Sequence, residues 1–191
     1  MARGKGEEMA GVAEGDVVVA VLGFLQARGV MPRTVSVARG QGINAPQTER
    51  TVLQEFPHVQ LVDSGPDIVA NSSDEWWQVE CKGQGRGTPQ TQRNNFDRAL
   101  ASVVSYYEGT APNESGTRAK PYLALALPSS DDYRRELKRR VRIALRVRLG
   151  LWVLLYEPQT KGIVPYPPDK DYDWPDTGRR KTPDLSEIPL V

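Results

Sequence analysis

Two uninterrupted apolar runs, 122–127 (Tyr-Leu-Ala-Leu-Ala-Leu) and 151–156 (Leu-Trp-Val-Leu-Leu-Tyr), stand on either side of a charged stretch. Short apolar runs bounded by breakers, here Pro128 after the first and Gly150 before the second, read as buried strands. Between them, Ser130 and Asp131 can cap a helix over 131–149, with Gly150 as its C-terminal stop. Strands apolar on both faces need helices above and below, so a sheet flanked by helices is required.

Upstream, Val17, Val18, Val21, Leu22, Phe24 and Leu25 recur at helical spacing within 11–27, and Arg28-Gly29 ends that helix. A short strand follows at 34–37, then a polar, turn-rich stretch over 39–47 and a short helix at 48–56. Strand segments at 59–62 and 67–70 are separated by Ser64-Gly65-Pro66, and a turn at 71–74 leads into a strand at 76–82. Thr88 as cap and Pro89 as first helical residue announce a helix to about residue 107. With 39–58 set aside as an insertion and 59–70 counted as one interrupted strand, the order is α-β-β-β-α-β-α-β: an α/β protein with a mixed central sheet, an αβββαβ core and flanking helices. At 191 residues the chain suits one domain with an insertion and a tail. The boundaries are 1–158 for the domain, 39–58 for a possible recognition insertion, and 159–191 for an extended, proline-rich tail packed on the domain or on a partner.

Cys81 is the single cysteine, which rules out an intrachain disulfide framework. The longest N-terminal apolar run, 17–25, is too short for a membrane span, and no signal-peptide pattern is visible. A reducing, cytoplasmic setting without membrane contact is expected. The net charge of +1 hides an uneven distribution, with eight cations and one acid over 134–148 and acidic residues gathered in the last quarter.

The chemistry lies in the strand around Glu80. Side chains alternate along a strand, so Gln78, Glu80 and Lys82 share one face while Trp77, Val79 and Cys81 take the other. Asp67 precedes this strand by a hairpin-like connection and can sit beside Glu80. A carboxylate and an ammonium two residues apart on a sheet cost desolvation unless paired or exposed in a cleft. Magnesium favours such oxygen donors, and Asp67, Glu80 and the backbone carbonyl of Cys81 could hold it, with manganese as a substitute. Lys82 would position the attacking water and neutralise charge developing on phosphorus.

Gly65-Pro66-Asp67 followed by Glu80-Cys81-Lys82 resembles the PD-(D/E)xK nuclease superfamily, whose members include restriction endonucleases, Holliday-junction resolvases and RecB-type exonucleases. The likeness covers about 11–156 and includes the order of elements. It implies a restriction-endonuclease-like fold and an acidic residue on the first helix, here Glu14, completing the catalytic metal site; Glu49 and Glu55 are substitutes. It also implies a glutamine on the helix after the lysine. Gln92, with Phe96 four residues on, is similar to the RecB-type Gln-x-x-x-Tyr pattern with Phe in place of Tyr.

Order and context separate this motif from its competitors. Pro-Asp occurs four times, but the pairs at Pro168, Pro175 and Pro183 follow every Glu-x-Lys. Glu136 and Lys138 fall in a helix, where residues two apart do not share a face.

The resemblance implies a magnesium-dependent endodeoxyribonuclease of the type II restriction kind, acting on DNA without a small-molecule cofactor; cutting both strands of a symmetric site is simplest with a two-fold pair, so a homodimer is expected. A junction resolvase or a repair or mobile-element nuclease is the alternative. From another class, the alternative is a non-catalytic nucleic-acid-binding module. DNA contacts are expected from Arg86, Gln90, Gln92 and Arg93 beside the glycine-rich loop 83–87, and from Arg139 and Arg142 on the basic helix. The apolar stripe of that helix, Tyr133, Leu137, Val141, Ala144 and Leu145, is expected to pack on the sheet, leaving Arg135, Arg139, Arg142 and Arg146 for phosphates. The polar side chains of 39–50 are suited to reading base edges. Cys81 and His58 read as packing or surface residues, and of Trp76 and Trp77 one reads as core and the other as a strand-edge residue.

Overall fold

The computed structural model describes residues 11–36, 45–85, 88–107, 111–112 and 118–175. In chain order the elements are α1 (Glu14–Ala27), β1 (Met31–Ser36), α2 (Ala45–Glu55), β2 (Gln60–Val62), β3 (Ile68–Asn71) and β4 (Glu75–Cys81). They continue with α3 (Pro89–Ser105), β5 (Ala111–Pro112), β6 (Arg118–Pro128), α4 (Asp131–Arg140), α5 (Ile143–Leu149), β7 (Leu151–Glu157) and β8 (Gly162–Tyr166). This is an α/β protein with a mixed sheet in the order β2-β1-β3-β4-β6-β7-β8, and β5 pairs with β6 off that path.

Strand direction follows from the connections. β3 and β4 are joined by a short turn and run antiparallel, as do β1 and β3. β4, β6 and β7 are separated by helices and run parallel, as crossover connections require. Alternation along β6 and β7 then sorts the two cores. Ala124, Ala126, Trp152, Leu154 and Tyr156 face the layer of α1 and α2 with Val17, Val21, Leu22 and Val52. Leu123, Leu125, Leu127, Leu151, Val153 and Leu155 face the layer of α3 and α4 with Phe96, Val103, Tyr133 and Leu137. Fully burying one such Leu contributes about 1.5–3 kcal/mol, and both faces of these central strands are covered.

The helix expected over 131–149 is broken. α4 ends at Arg140, Val141 adopts φ −111° and ψ 61°, and α5 starts after Arg142 in an extended conformation. Distant chain holds the break: the Tyr172 hydroxyl donates to the Val141 carbonyl at 2.9 Å. The change of axis corrects the expected faces. Leu145 is 36% exposed and Ala144 is exposed, whereas Arg146 is fully buried. The Arg146 guanidinium donates to the carbonyls of Pro167 and Lys170 and lies over the Tyr172 ring. Arg146 therefore holds the chain together and does not face solvent.

Residues 159–175 lie on the body. Gly162–Tyr166 adds an antiparallel edge strand to β7, where Pro165 is tolerated because an edge leaves one side of the ladder open. Tyr166, Tyr172 and Trp174 form a cluster of ring contacts behind it. The rest of the expected tail, 176–191, is outside the described residues. So are 39–44 of the possible recognition insertion, while its remainder forms α2 and supplies Val52 and Phe56 to the core. No helix among the described residues is long and apolar enough to cross a membrane.

Candidate active site

The register of β3 on β4 pairs Ile68 with Val79, so Asp67, one step earlier, arrives next to Glu80. The backbone N–H of Cys81 donates to Asp67 Oδ2 at 2.7 Å and fixes that carboxylate. Lys82 continues the strand through its N–H to the Ala126 carbonyl at 3.0 Å. Its side chain, on the same face as Glu80, places Nζ 2.9 Å from Glu80 Oε1 and 2.8 Å from the Cys81 carbonyl oxygen. Asp67 Oδ2 is 3.7 Å and Glu14 Oε2 3.6 Å from that ammonium.

Glu14 comes from the other end of the described chain and reaches the site through a backbone stitch. The N–H of Gln84 donates to the Val12 carbonyl at 2.8 Å, and Val12 and Gln84 form an isolated bridge. A Cβ on Gly83 would stand 2.6 Å from both the Glu14 nitrogen and the Val12 oxygen. Glycine is what lets the loop after Lys82 close on the first turn of α1.

Two tyrosines join this arrangement that the sequence reading did not single out for it. Tyr106, at the end of α3, donates from its hydroxyl to Glu80 Oε2 at 3.0 Å. Tyr133, read as part of an apolar stripe, is buried against Phe96, and its hydroxyl donates to the Gly83 carbonyl at 2.9 Å. Gln92 secures the same loop by donating from Nε2 to the Gly85 carbonyl at 2.7 Å. Phe96 lies in the core, so the phenols near the site come from other positions.

Burial raises Asp67 from 3.8 to about 7; Lys82 opposes this, Glu80 adds to it, and the bond from Cys81 N–H lowers it. Burial works against the charge on Lys82, but Asp67, Glu14 and Glu80 together raise its pKa and keep it an ammonium. Burial also pushes Tyr133 up to about 12, and burial with the Glu80 charge raises Tyr106, so both phenols remain hydrogen-bond donors. The Cys81 thiol is pushed up by burial and by Asp67, which leaves it a packing residue without thiolate reactivity.

Three carboxylates facing one ammonium leave excess negative charge, and the donors are the hard oxygens that magnesium and manganese take. Among the described residues no three acidic, His or Cys side chains are grouped at the spacing a metal ion needs. Lys82 Nζ is at the point where the carboxylates converge. The oxygens of Asp67, Glu80 and the Cys81 carbonyl, with Glu14 beside them, are donors of the kind a hard divalent cation takes, and in this arrangement they surround the Lys82 ammonium.

Gln92, Arg93 and Arg139 line one cavity between α3 and α4. Gln90 is exposed and accepts from Arg93, and Arg142 is exposed at the start of α5; neither lines that cavity. Arg86 is outside the described residues. Glu55 lines a larger cavity of about 550 Å³ between α1, α2, Tyr156 and Lys161, which none of Asp67, Glu80 and Lys82 borders. His58 is exposed and Trp77 fully buried. Compared with protein-family models, with curated proteins and with solved structures, the chain matches none.

Proposed function

We propose that this chain is a metal-dependent DNA endonuclease that hydrolyses phosphodiester bonds. The observation that carries the reading is the convergence of Glu14, Asp67 and Glu80 within 3.7 Å of Lys82 Nζ. The strand path supports it: β1, β3 and β4 antiparallel in succession, β6 parallel to β4, α1 ahead and α3 between. With α2 and β2, which lie between β1 and β3 in the chain, set aside, this path is compatible with the αβββαβ order of a restriction-endonuclease-like fold.

In this reading a bound magnesium ion supplies Lewis-acid activation of the phosphoryl group and of a water. Asp67 and Glu80 act as its ligands, with Asp67 oriented by the Cys81 N–H and Glu80 by Tyr106. Lys82 holds the attacking water through its ammonium and stabilises the charge that grows on the phosphoryl oxygens. Glu14 completes the carboxylate set from α1, whose start is held to the loop after Lys82 by the Gln84–Val12 bond. Two copies related by a two-fold axis would present one such site to each strand.

The test is cleavage of plasmid, single-stranded and branched DNA with magnesium or manganese and with excess chelator. Asp67→Asn, Glu80→Gln and Lys82→Ala are expected to lower the rate by about a thousandfold or more while circular dichroism stays unchanged. Full activity of Lys82→Ala, or cleavage in excess chelator, would overturn the reading.

A further inference from the structure

Lys82 Nζ meets one oxygen from each candidate ligand. The Cys81 carbonyl oxygen is 2.8 Å away and Glu80 Oε1 2.9 Å, with Glu14 Oε2 at 3.6 Å and Asp67 Oδ2 at 3.7 Å. Among the described residues this ammonium has no partner outside those four groups. A magnesium ion bonds to such oxygens at about 2.0–2.1 Å. It would draw on the same lone pairs of Glu80 and Cys81 that now receive the Lys82 N–H bonds. Burial works against the charge on Lys82, but the three carboxylates outweigh it. The cage of oxygens therefore already holds a cation of the chain's own.

The cage keeps its shape through bonds that do not involve the Lys82 side chain. Asp67 Oδ2 accepts from the Cys81 N–H at 2.7 Å, and Glu80 Oε2 from the Tyr106 hydroxyl at 3.0 Å. The Cys81 carbonyl belongs to β4, which is paired with β6 at Ala126. Glu14 rides on α1, whose start is bonded to Gln84. Lys82 is different. Its backbone is fixed by the N–H bond to the Ala126 carbonyl, but its charge sits at the end of a flexible four-carbon stem. The side chain is 21% exposed, against 7% for Glu80, so it has a way out to solvent. One side chain can leave while the oxygens stay where they are.

Resting on the nuclease reading, we infer that Lys82 plugs the cation site with its own ammonium and must give up the Cys81 carbonyl and Glu80 Oε1 before a divalent ion can use them. Lys82 then has two stations. In the first it neutralises the carboxylates and holds them as a cation would. In the second it stands at the edge of the cage, within reach of the attacking water and the phosphoryl oxygens. Competition of this kind lowers the apparent affinity for a metal by the fraction of molecules in which the plug is out. Removing the plug should therefore tighten metal binding even though it removes a residue that the cleavage reaction needs.

The test reads metal binding and position, independent of cleavage. Manganese is titrated calorimetrically into the natural protein, Lys82→Met and Glu80→Gln. Lys82→Met, which keeps the stem and drops the charge, should bind at least about tenfold more tightly than the natural protein, and Glu80→Gln more weakly. Loss of a nearby positive charge would by itself favour a cation, so a second measurement locates the plug. In a crystal of the natural protein soaked with manganese, anomalous scattering should place the ion on Asp67, Glu80 and the Cys81 carbonyl. Lys82 Nζ should then be out of hydrogen-bond reach of that carbonyl. Equal affinities, or an ion bound there with Nζ still on the Cys81 carbonyl, would overturn the plug while cleavage could still stand. Tighter binding by Lys82→Met with Nζ displaced in the natural protein, in a chain that cuts no DNA with any metal, would remove the nuclease reading and leave the plug.

Discussion

Tyr106 and Lys82 grip the same carboxylate from opposite sides: the Tyr106 hydroxyl is 3.0 Å from Glu80 Oε2 and Lys82 Nζ 2.9 Å from Oε1. With both oxygens engaged, Glu80 has its rotamer set before any ligand arrives. Groups that orient a metal ligand in this way typically affect metal affinity or activity by about 10–100-fold. Tyr106→Phe keeps the ring and removes the donor. Its half-saturating magnesium concentration should rise by about tenfold, at unchanged melting temperature, in a metal titration of the cleavage rate. An unaltered titration would reduce Tyr106 to a bystander.

Gly83 and Gly85 are two residues apart and should respond oppositely to one methyl group. A Cβ at Gly83 collides with the backbone of Val12 and Glu14, whereas Gly85 has nothing within 4 Å. Gly83→Ala should push the first turn of α1 away from Lys82, and a displacement of about 1 Å can lower a rate by about a hundredfold. Gly85→Ala should cut at the normal rate. Equal rates for the two variants would disprove the stitch.

Asp67 predicts a pH-dependent stability difference in metal-free protein. Its folded value is about 7 against 3.8, so between those values the folded chain keeps a proton that the unfolded chain releases. Stability contributed at this position is therefore present at low pH and lost as pH rises through that window. Asp67→Asn has no proton to keep. Its melting temperature relative to the natural protein should climb from about pH 4 to about pH 7 and then level off. A difference that stays flat across that range would refute the raised value.

Arginines of the basic segment should fall into two kinds. Arg139 and Arg142 are exposed. Replacing each by Ala should flatten the salt dependence of DNA binding by about one unit in the log–log slope, without unfolding. Arg146 is buried with two carbonyl partners and an aromatic ring. Arg146→Ala should lower stability by about 2–4 kcal/mol and leave the slope unchanged. Denaturant melts and a salt series on Glu80→Gln backgrounds separate the two; a salt-slope change in Arg146→Ala would place it on the DNA side after all.

Local patterns carried most of what the sequence disclosed. The two-residue alternation of β4 put Glu80 and Lys82 on one face, and a single turn brought Asp67 alongside; nothing distant was needed. The features that escaped all depend on partners far along the chain. Tyr106 meets Glu80 from 26 residues away. The break at Val141 is held by Tyr172, and the inward turn of Arg146 is held by Pro167 and Lys170. By periodicity the 131–149 segment is one helix, because the bonds that divide it come from residues no short window contains. β8 was hidden by its own Pro165, which argues against a strand everywhere except at an edge.

The backbone bond from Lys82 to Ala126 carries a consequence for timing. Glu14, Asp67, Glu80 and Lys82 have all been synthesised before β6 exists, yet the end of β4 that holds the last two is fixed by pairing with Cys81 opposite Ala126. A nascent chain halted ahead of β6 would possess each of these side chains without the strand that anchors the end of β4. Topology would then make the fixing of Lys82 wait for residues more than forty positions further along the chain.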